Sequence, residues 1–318
     1  MSKILETIRR GRSFLVTTHA NPDGDALGSA IALAIGLKKL GKRVKVYNED
    51  PVPGNLRFLP RAGSVSQKLD PSEYYDASFI VDCAEPDRVG EAFVKHPHRG
   101  QVIVIDHHRK SQRAGDLNLI QPKAASSGTV VLQVLQKLKV SLNREIALAV
   151  YTTLVTDTGN FRYSNTDASV LQLAARLVAQ GVLPSSVATA VYESYPVTRL
   201  KLLGQVLPTL AISADGRYAS LTLMLKMLEE TGATVDLSDE FINYARSVDT
   251  VKVAIFFREK EGGGWKVSFR SKERYDVARL AARFGGGGHA RAAGCKLEGS
   301  FEEVQRKIYS AVEEVLAS

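Results

Sequence analysis

Near its start the chain reads His19-Ala20-Asn21-Pro22-Asp23-Gly24-Asp25, and further on Asp106-His107-His108. Imidazole and carboxylate together are the donor types that suit Mn²⁺ and related divalent ions. Asp23 and Asp25 flank a single glycine. Two carboxylates that close repel unless positive charge lies beside them, and a divalent cation supplies it. Pro22 fixes the turn between the histidine and the acids, and Gly24 lets the backbone bend there. An N-cap followed by a turn would explain Asp-Gly-Asp alone. It does not explain a histidine pair arriving elsewhere behind a second apolar run.

The elements that must position these groups come next. Leu15-Val16 leads into the first cluster and Val102-Ile103-Val104-Ile105 into the second, while Phe79-Ile80-Val81 ends in Asp82. Each run reads as a buried strand, so three strand ends deliver acids and imidazoles to one edge of a sheet. In open α/β sheets that carboxyl edge binds ligands. Asp157 closes a predicted helix over 144–155, where a plain turn residue is the competing reading. Further helices are predicted over 26–40, 128–138, 168–180 and 185–194. Strands alternating with helices predict an α/β fold: a parallel sheet with helices on both faces. Ser126-Ser127-Gly128-Thr129 opens one helix, where capping competes with phosphate binding through backbone amides. Arg162 could reach a phosphate or form an ion pair.

At 318 residues the chain is long for one core and comfortable for two. The expected division is a catalytic domain over 1–191, a linking helix over 192–211, and a smaller α/β substrate-binding domain over 212–318. The formal charge of +8 favours anionic partners such as nucleotides. Two cysteines cannot make a disulfide framework. The apolar stretch near the N-terminus is too short for a signal-peptide core, and no run approaches a membrane span. A cytoplasmic protein is expected, with no membrane partner.

In the second domain, 251–258 and 265–270 read as a hairpin, and 276–284 as a helix capped by Asp276. Gly285-Gly286-Gly287-Gly288-His289 follows. A glycine run lets amides crowd an anion or a nucleobase. The helix precedes the run and no Gly-Lys-Ser/Thr is present, which excludes a P-loop. Arg258, Arg270, Lys272, Arg274, Arg279, Arg283, Arg291 and Lys296 surround it. Tyr275 and Phe284 are candidates for base stacking, with core packing the alternative for Phe284.

The set His19-x-Asn21-Pro22-Asp23-x-Asp25, Val81-Asp82, Asp106-His107-His108 and Thr156-Asp157 resembles the DHH phosphoesterase family. The segment Gly286-Gly287-Gly288-His289-x-x-Ala292-Ala293-Gly294 resembles the C-terminal domain often attached to it. The length is similar to the RecJ-like nanoRNase and pAp-phosphatase branch. That resemblance implies two divalent ions, most simply Mn²⁺. His19 and Asp23 would hold one, Asp25, His107 and Asp157 the other, with Asp82 between them. It implies His108 and Asp106 as catalytic groups, His108 polarising the phosphoryl group or protonating the leaving group and Asp106 orienting a histidine. It implies Arg270, Ser271, Gly286, Gly287, Gly288 and His289 at the substrate. The implied substrates are short single-stranded RNA and 3′-phosphoadenosine 5′-phosphate (pAp), and linear or cyclic dinucleotides for some relatives, with a homodimer as the assembly. An inorganic pyrophosphatase or exopolyphosphatase of the same superfamily, and a nucleotide-binding regulator without catalysis, are the rival expectations.

Overall fold

The computed structural model describes residues 1–83, 85–108, 114–272 and 275–317. The chain divides into two compact units, Met1–Ser194 and Tyr195–Ser318.

The first unit begins with helix α1 (Ser2–Arg10) and strand β1 (Ser13–Thr17), then α2 (Gly24–Lys39), β2 (Arg43–Tyr47), β3 (Val65–Ser66) and β4 (Ala77–Val81). A short α3 (Glu91–Val94) leads to β5 (Gln101–Asp106) and β6 (Leu117–Ile120). Helices α4 (Ser127–Lys137), α5 (Arg144–Asp157), α6 (Ala168–Val178) and α7 (Pro184–Tyr192) complete it. The six strands lie in the order β3-β2-β1-β4-β5-β6, and every pairing is parallel. Chain direction across the sheet reverses between β1 and β4, which makes their carboxyl ends the topological switch point.

Both faces of the central strands are buried, which is why they read as continuous apolar runs rather than alternations. Phe14, Val16, Phe79, Val81, Ile103 and Ile105 pack with the large helical core. Leu15, Ile80 and Val104 face a thinner layer formed by Tyr75, Val89 and Phe93. Helix α2 is apolar almost all round because α4 and α5 enclose it. At Gly28 an added Cβ would sit 2.6 Å from Thr153 Cγ2, and at Gly24 and Gly128 it would strike Thr156 and Thr153. Three glycines thus let three helices close on one threonine pair, next to Asp25 and Asp157.

The second unit holds α8 (Val197–Val206), β7 (Ala211–Ile212), β8 (Tyr218–Leu223), α9 (Leu225–Thr231), α10 (Ile242–Ser247) and β9 (Val253–Glu259). It continues with β10 (Trp265–Ser271), α11 (Val277–Ala282), β11 (Gly287–His289), β12 (Ala292–Leu297) and α12 (Phe301–Ala317). Its sheet runs β11-β12-β10-β9-β8-β7. Strands β8 and β9 pair in parallel, and the predicted hairpin is the antiparallel β9–β10 pair. The helix expected to link the domains is instead an element of this unit, because Leu202 and Val206 of α8 are fully buried with Ala219, Leu221 and Phe241.

The glycine run is in part a strand. Gly287–His289 pairs with β12. At Gly286 a Cβ would meet the Gly294 carbonyl and lie 2.6 Å from Cys295 Cβ. Here the glycines serve close backbone approach. Strand β12 itself is not legible in sequence, since Ala-Ala-Gly-Cys-Lys-Leu lacks the β-branched and aromatic residues that mark strands.

Candidate metal centre

Every carboxylate and imidazole expected at the first unit's site arrives at one place. His19 follows β1, and its backbone carbonyl accepts the side-chain amide of the fully buried Asn48 at 2.9 Å. Asp23 is the N-cap of α2, its carboxylate accepting the Ala26 N–H at 3.0 Å, and Asp25 lies in the first turn. Asp82 leaves β4 with φ of +55°. A left-handed aspartate costs on the order of 1–3 kcal/mol. That strain turns the carboxylate into the crevice instead of continuing the strand. Asp157 is the last residue of α5.

Three groupings result, each with donor atoms within 4.8 Å of one another: His19, Asp23 and Asp82; Asp25, His107 and Asp157; Asp82, His107 and His108. Asp82 belongs to two of them. His107 Nε2 lies 3.6 Å from Asp25, 3.8 Å from Asp82 and 3.4 Å from Asp157. His19 Nε2 lies 3.9 Å from Asp82.

The histidine tautomers follow from their partners. His19 Nδ1 donates to the Ala20 carbonyl at 2.9 Å, and His107 Nδ1 to the Ala124 carbonyl at 3.1 Å. A carbonyl only accepts, so Nδ1 carries the proton and Nε2 presents a lone pair to the carboxylates. Metal-ligating histidines are oriented in this way. His108 differs: its Nδ1 donates to Asp106 at 2.6 Å. The fully buried Asp106 also accepts the N–H groups of His107 and His108 at 2.7 and 3.1 Å. It holds the turn carrying both histidines.

Charge in the cluster is out of balance. Burial raises Asp25 well above the usual carboxylate range, and Asp82, Asp157 and Asp23 repel it further; the Ser127 N–H only partly offsets this. Burial also raises Asp82, with Asp23 adding to the shift against His108, His107 and His19. Asp157 is raised by burial to about 7 although His107 pulls it down. Burial lowers His108, but its hydrogen bond to Asp106 and the charges of Asp82, Asp106 and Asp157 outweigh it, lifting it to about 9. Four crowded carboxylates with imidazole lone pairs aimed among them fit divalent cations of the Mn²⁺ class.

The start of α4 plays a part the sequence left open. Ser126 caps the helix. The amides of Ser127 and Gly128 donate to the Asp25 carboxylate at 2.8 and 3.1 Å. Ser29 donates its hydroxyl to Asp25 at 3.0 Å, and Ser127 its hydroxyl to Asp82 at 2.8 Å. Sequence reasoning misses the roles of Ser29 and Asn48, and it marks Ser127 only as part of a helix start. Arg88 is missed as well, and its Nη2 comes within 3.4 Å of His19 Nδ1. Arg162 Nε donates to the Gly159 carbonyl at 2.7 Å.

The substrate residues expected in the second unit fall together in its sheet. Arg270 pairs with Ala292, and Ala292 with His289, across three adjacent strands. Gly287 and Gly288 are exposed on β11. Ser271 is only 5 % exposed and donates its hydroxyl to the Tyr275 carbonyl at 2.6 Å, so it braces the turn instead of facing solvent. The His289 side chain and Arg274 lie outside what the structure describes. Tyr275 and Phe284 both pack on the unit's core. Among the described residues no helix is long and apolar enough to cross a membrane.

Known proteins match along most of the chain. Residues 13–154 match the DHH family, N-terminal domain, and residues 216–318 the DHHA1 domain. The chain is 38% identical over 302 residues to the bifunctional oligoribonuclease and PAP phosphatase NrnA of Thermus thermophilus, covering 95% of this chain and 89% of that protein. It is 26% identical over 310 residues to the Bacillus subtilis protein of the same name, covering 96% and 95%. The crystal structure of an exopolyphosphatase-related protein from Bacteroides fragilis superposes with a TM-score of 0.89 at 25% identity, covering 99% of this chain and 95% of that one. With a site of this donor chemistry at the switch point and both domains matched in order, the chain belongs to the DHH family of phosphoesterases.

Proposed function

We propose that this protein is a metal-dependent hydrolase that cleaves short oligoribonucleotides to mononucleotides and removes a phosphate from pAp, with action on linear or cyclic dinucleotides as an extension. The observation that carries this reading is the gathering of four aspartates, Asp82 among them, and two Nε2 lone pairs into overlapping groups of donor atoms. The names of the Thermus and Bacillus relatives support the substrate class.

His19, Asp23 and Asp82 would hold one cation, and Asp25, His107, Asp157 and Asp82 a second, with Mn²⁺ favoured by the mixed nitrogen and oxygen donors. Bound there, such ions supply Lewis acidity to the phosphoryl group and lower the pKa of a water. The chain's own groups do the rest. Asp106 fixes the His108 ring and stabilises its charged form, so His108 donates a hydrogen bond or proton to the departing oxygen. Ser29, Ser127 and Gly128 hold Asp25 in a single orientation. The exposed Gly287 and Gly288, with Arg270 and His289 nearby in the sheet, would hold the substrate's phosphate or base. Buried free thiols at Cys83 and Cys295 suit the reducing cytoplasm. A homodimer remains the expected assembly.

Product analysis on one panel tests the reading: pAp, di- to pentaribonucleotides, cyclic dinucleotides and pyrophosphate, each with Mn²⁺ and with chelator. Metal-dependent release of mononucleotides and of AMP is expected. Turnover of pyrophosphate alone would replace the proposal with the second reading, a pyrophosphatase or exopolyphosphatase, which the name of the Bacteroides neighbour favours.

A further inference from the structure

Beyond the residues already placed at the substrate, the second unit's sheet carries a row of like charges. Across β9, β10 and β12, Arg258 stands opposite Lys266, and Lys266 opposite Lys296. Directly paired residues share a face, and like charges facing each other across strands destabilise a sheet.

The register defines the rest of that face. On β10 it carries Lys266, Ser268 and Arg270; on β12 it carries Lys296, Gly294 and Ala292. The alternate residues Val267, Phe269, Ala293 and Cys295 are buried in the opposite core. Over β9 the face is roofed, since Ala254 and Phe256 are buried with α8 and α10. Over β10 and β12 none of its residues is buried, and Lys266 and Lys296 are exposed. Arg258 backs the row from under the roof, paired with Asp239 at 2.9 Å and 11% exposed. Ser268, Gly294 and Ala292 between the two charged ends are small, which leaves a flat floor.

We infer that this open half-face is a second phosphate subsite, a track on which Lys266 and Lys296 take the backbone of an oligonucleotide whose end is held at the Arg270 row. The inference rests on the function proposed above and specifies its substrate. Four residues separate Arg270 from Lys266, roughly 14 Å along the strand at about 3.4 Å per residue. A nucleoside bisphosphate carries both phosphates on one ribose and does not span two rows that far apart. A chain of nucleotides does. No aromatic side chain lies among the six face positions on β10 and β12, so the track reads charge and not sequence.

The test is the double variant Lys266→Gln/Lys296→Gln in the full-length protein. Wild-type turnover of pAp and of a tetraribonucleotide first tests the parent reading on its own. The variant is then expected to raise KM for the tetranucleotide roughly ten-fold at low salt and to leave pAp kinetics unchanged. The dependence of tetranucleotide binding on salt should weaken by about 0.7 in log–log slope for each phosphate that a lysine no longer neutralises. Binding is read by fluorescence anisotropy of a labelled tetraribonucleotide in chelator, so it stands even where turnover fails. Melting temperature should hold or rise, because a like-charge row has been removed. Equal losses on pAp and tetranucleotide, or unchanged binding and salt slope, would overturn the track.

Discussion

Stripped of metal, the protein should become less stable as the pH rises from 5 to 9. The crowded acids and His108 dictate the sign. Asp157, raised by burial to about 7, keeps its proton in the folded protein at pH values where the unfolded chain has released it. Such a group stabilises the fold fully below its unfolded pKa, and the contribution is lost as pH climbs through the folded one. His108, raised to about 9 against the pull of its burial, behaves the same way above its ordinary 6.5. Over this window Asp157 contributes about 2 pH units and His108 about 2.5. At about 1.36 kcal/mol per unit the upper bound is about 6 kcal/mol. The side chains are 31% and 23% exposed, so solvent screens them, and each feels the other's charge, so their protons leave in coupled steps. Half that bound, about 3 kcal/mol, is the working figure. For a unit of this size it corresponds to a fall in Tm of roughly 6–12 °C. Asp70, Asp76 and Asp167, which hydrogen bonds hold below the usual carboxylate range, stay ionised throughout and add no slope. Calorimetry on chelator-dialysed protein at five pH values measures the effect. Asp157→Asn should flatten the segment from pH 5 to 7. Added Mn²⁺ should restore more at pH 9 than at pH 5, since ligands bind metal deprotonated. A metal-free Tm that is level, or that rises toward pH 9, would refute the charge imbalance on which the metal assignment stands.

The other expectations are briefer. Asp25→Asn should abolish most of the Mn²⁺-induced rise in Tm. It should also cost about 1–3 kcal/mol without metal, because the new amide turns a donor toward the Ser127 or Gly128 N–H; a full Mn²⁺ response in a thermal shift assay would contradict this. His108→Gln should lower kcat on pAp by roughly 10²–10⁴-fold and leave the Mn²⁺ response intact. Gly128→Ala should destabilise by about 1–3 kcal/mol in denaturant titration, since the new methyl meets Thr153 where α4 and α5 close. Gly286→Ala should prise β11 from β12 and impair pAp turnover, with no change in the thermal response to Mn²⁺.

The metal site is legible in sequence because each ligand follows a strand end or caps a helix, positions that apolar runs and a glycine mark by themselves. Helix α2 begins at Gly24 instead of 26, so Asp25 sits inside the first turn, a shift that hydrophobic periodicity cannot register. Two things stay hidden. The strain at Asp82 is a backbone property with no compositional signature. The hydroxyls of Ser29 and Ser127 acquire meaning only when α2 and α4 are seen side by side. In the second unit, strands β11 and β12 escape notice because their small residues mark backbone proximity, and proximity is set by partners distant in the chain. Ser271 illustrates the same limit. Its place beside Arg270 suggests a role at the substrate, while strand alternation turns it to the buried face.

A helix N-terminus is a ready anion site, and the start of α4 lies beside the metal ligands. Its first amides are already taken by the carboxylate of Asp25. The protein has used this anion hole on its own ligand, which aligns Asp25 and offsets part of the shift that burial and three neighbouring acids impose. A substrate phosphate arriving there therefore meets four aspartates and an α4 N-terminus whose first amides are occupied. Attraction has to come from cations bound among the acids, and from basic groups elsewhere in the chain. The design ties phosphate affinity in the first unit to metal occupancy. An apo first unit should repel the same anion that the loaded unit attracts, so metal loading adds to phosphate affinity in the first unit as well as enabling hydrolysis, while basic groups of the second unit bind without it.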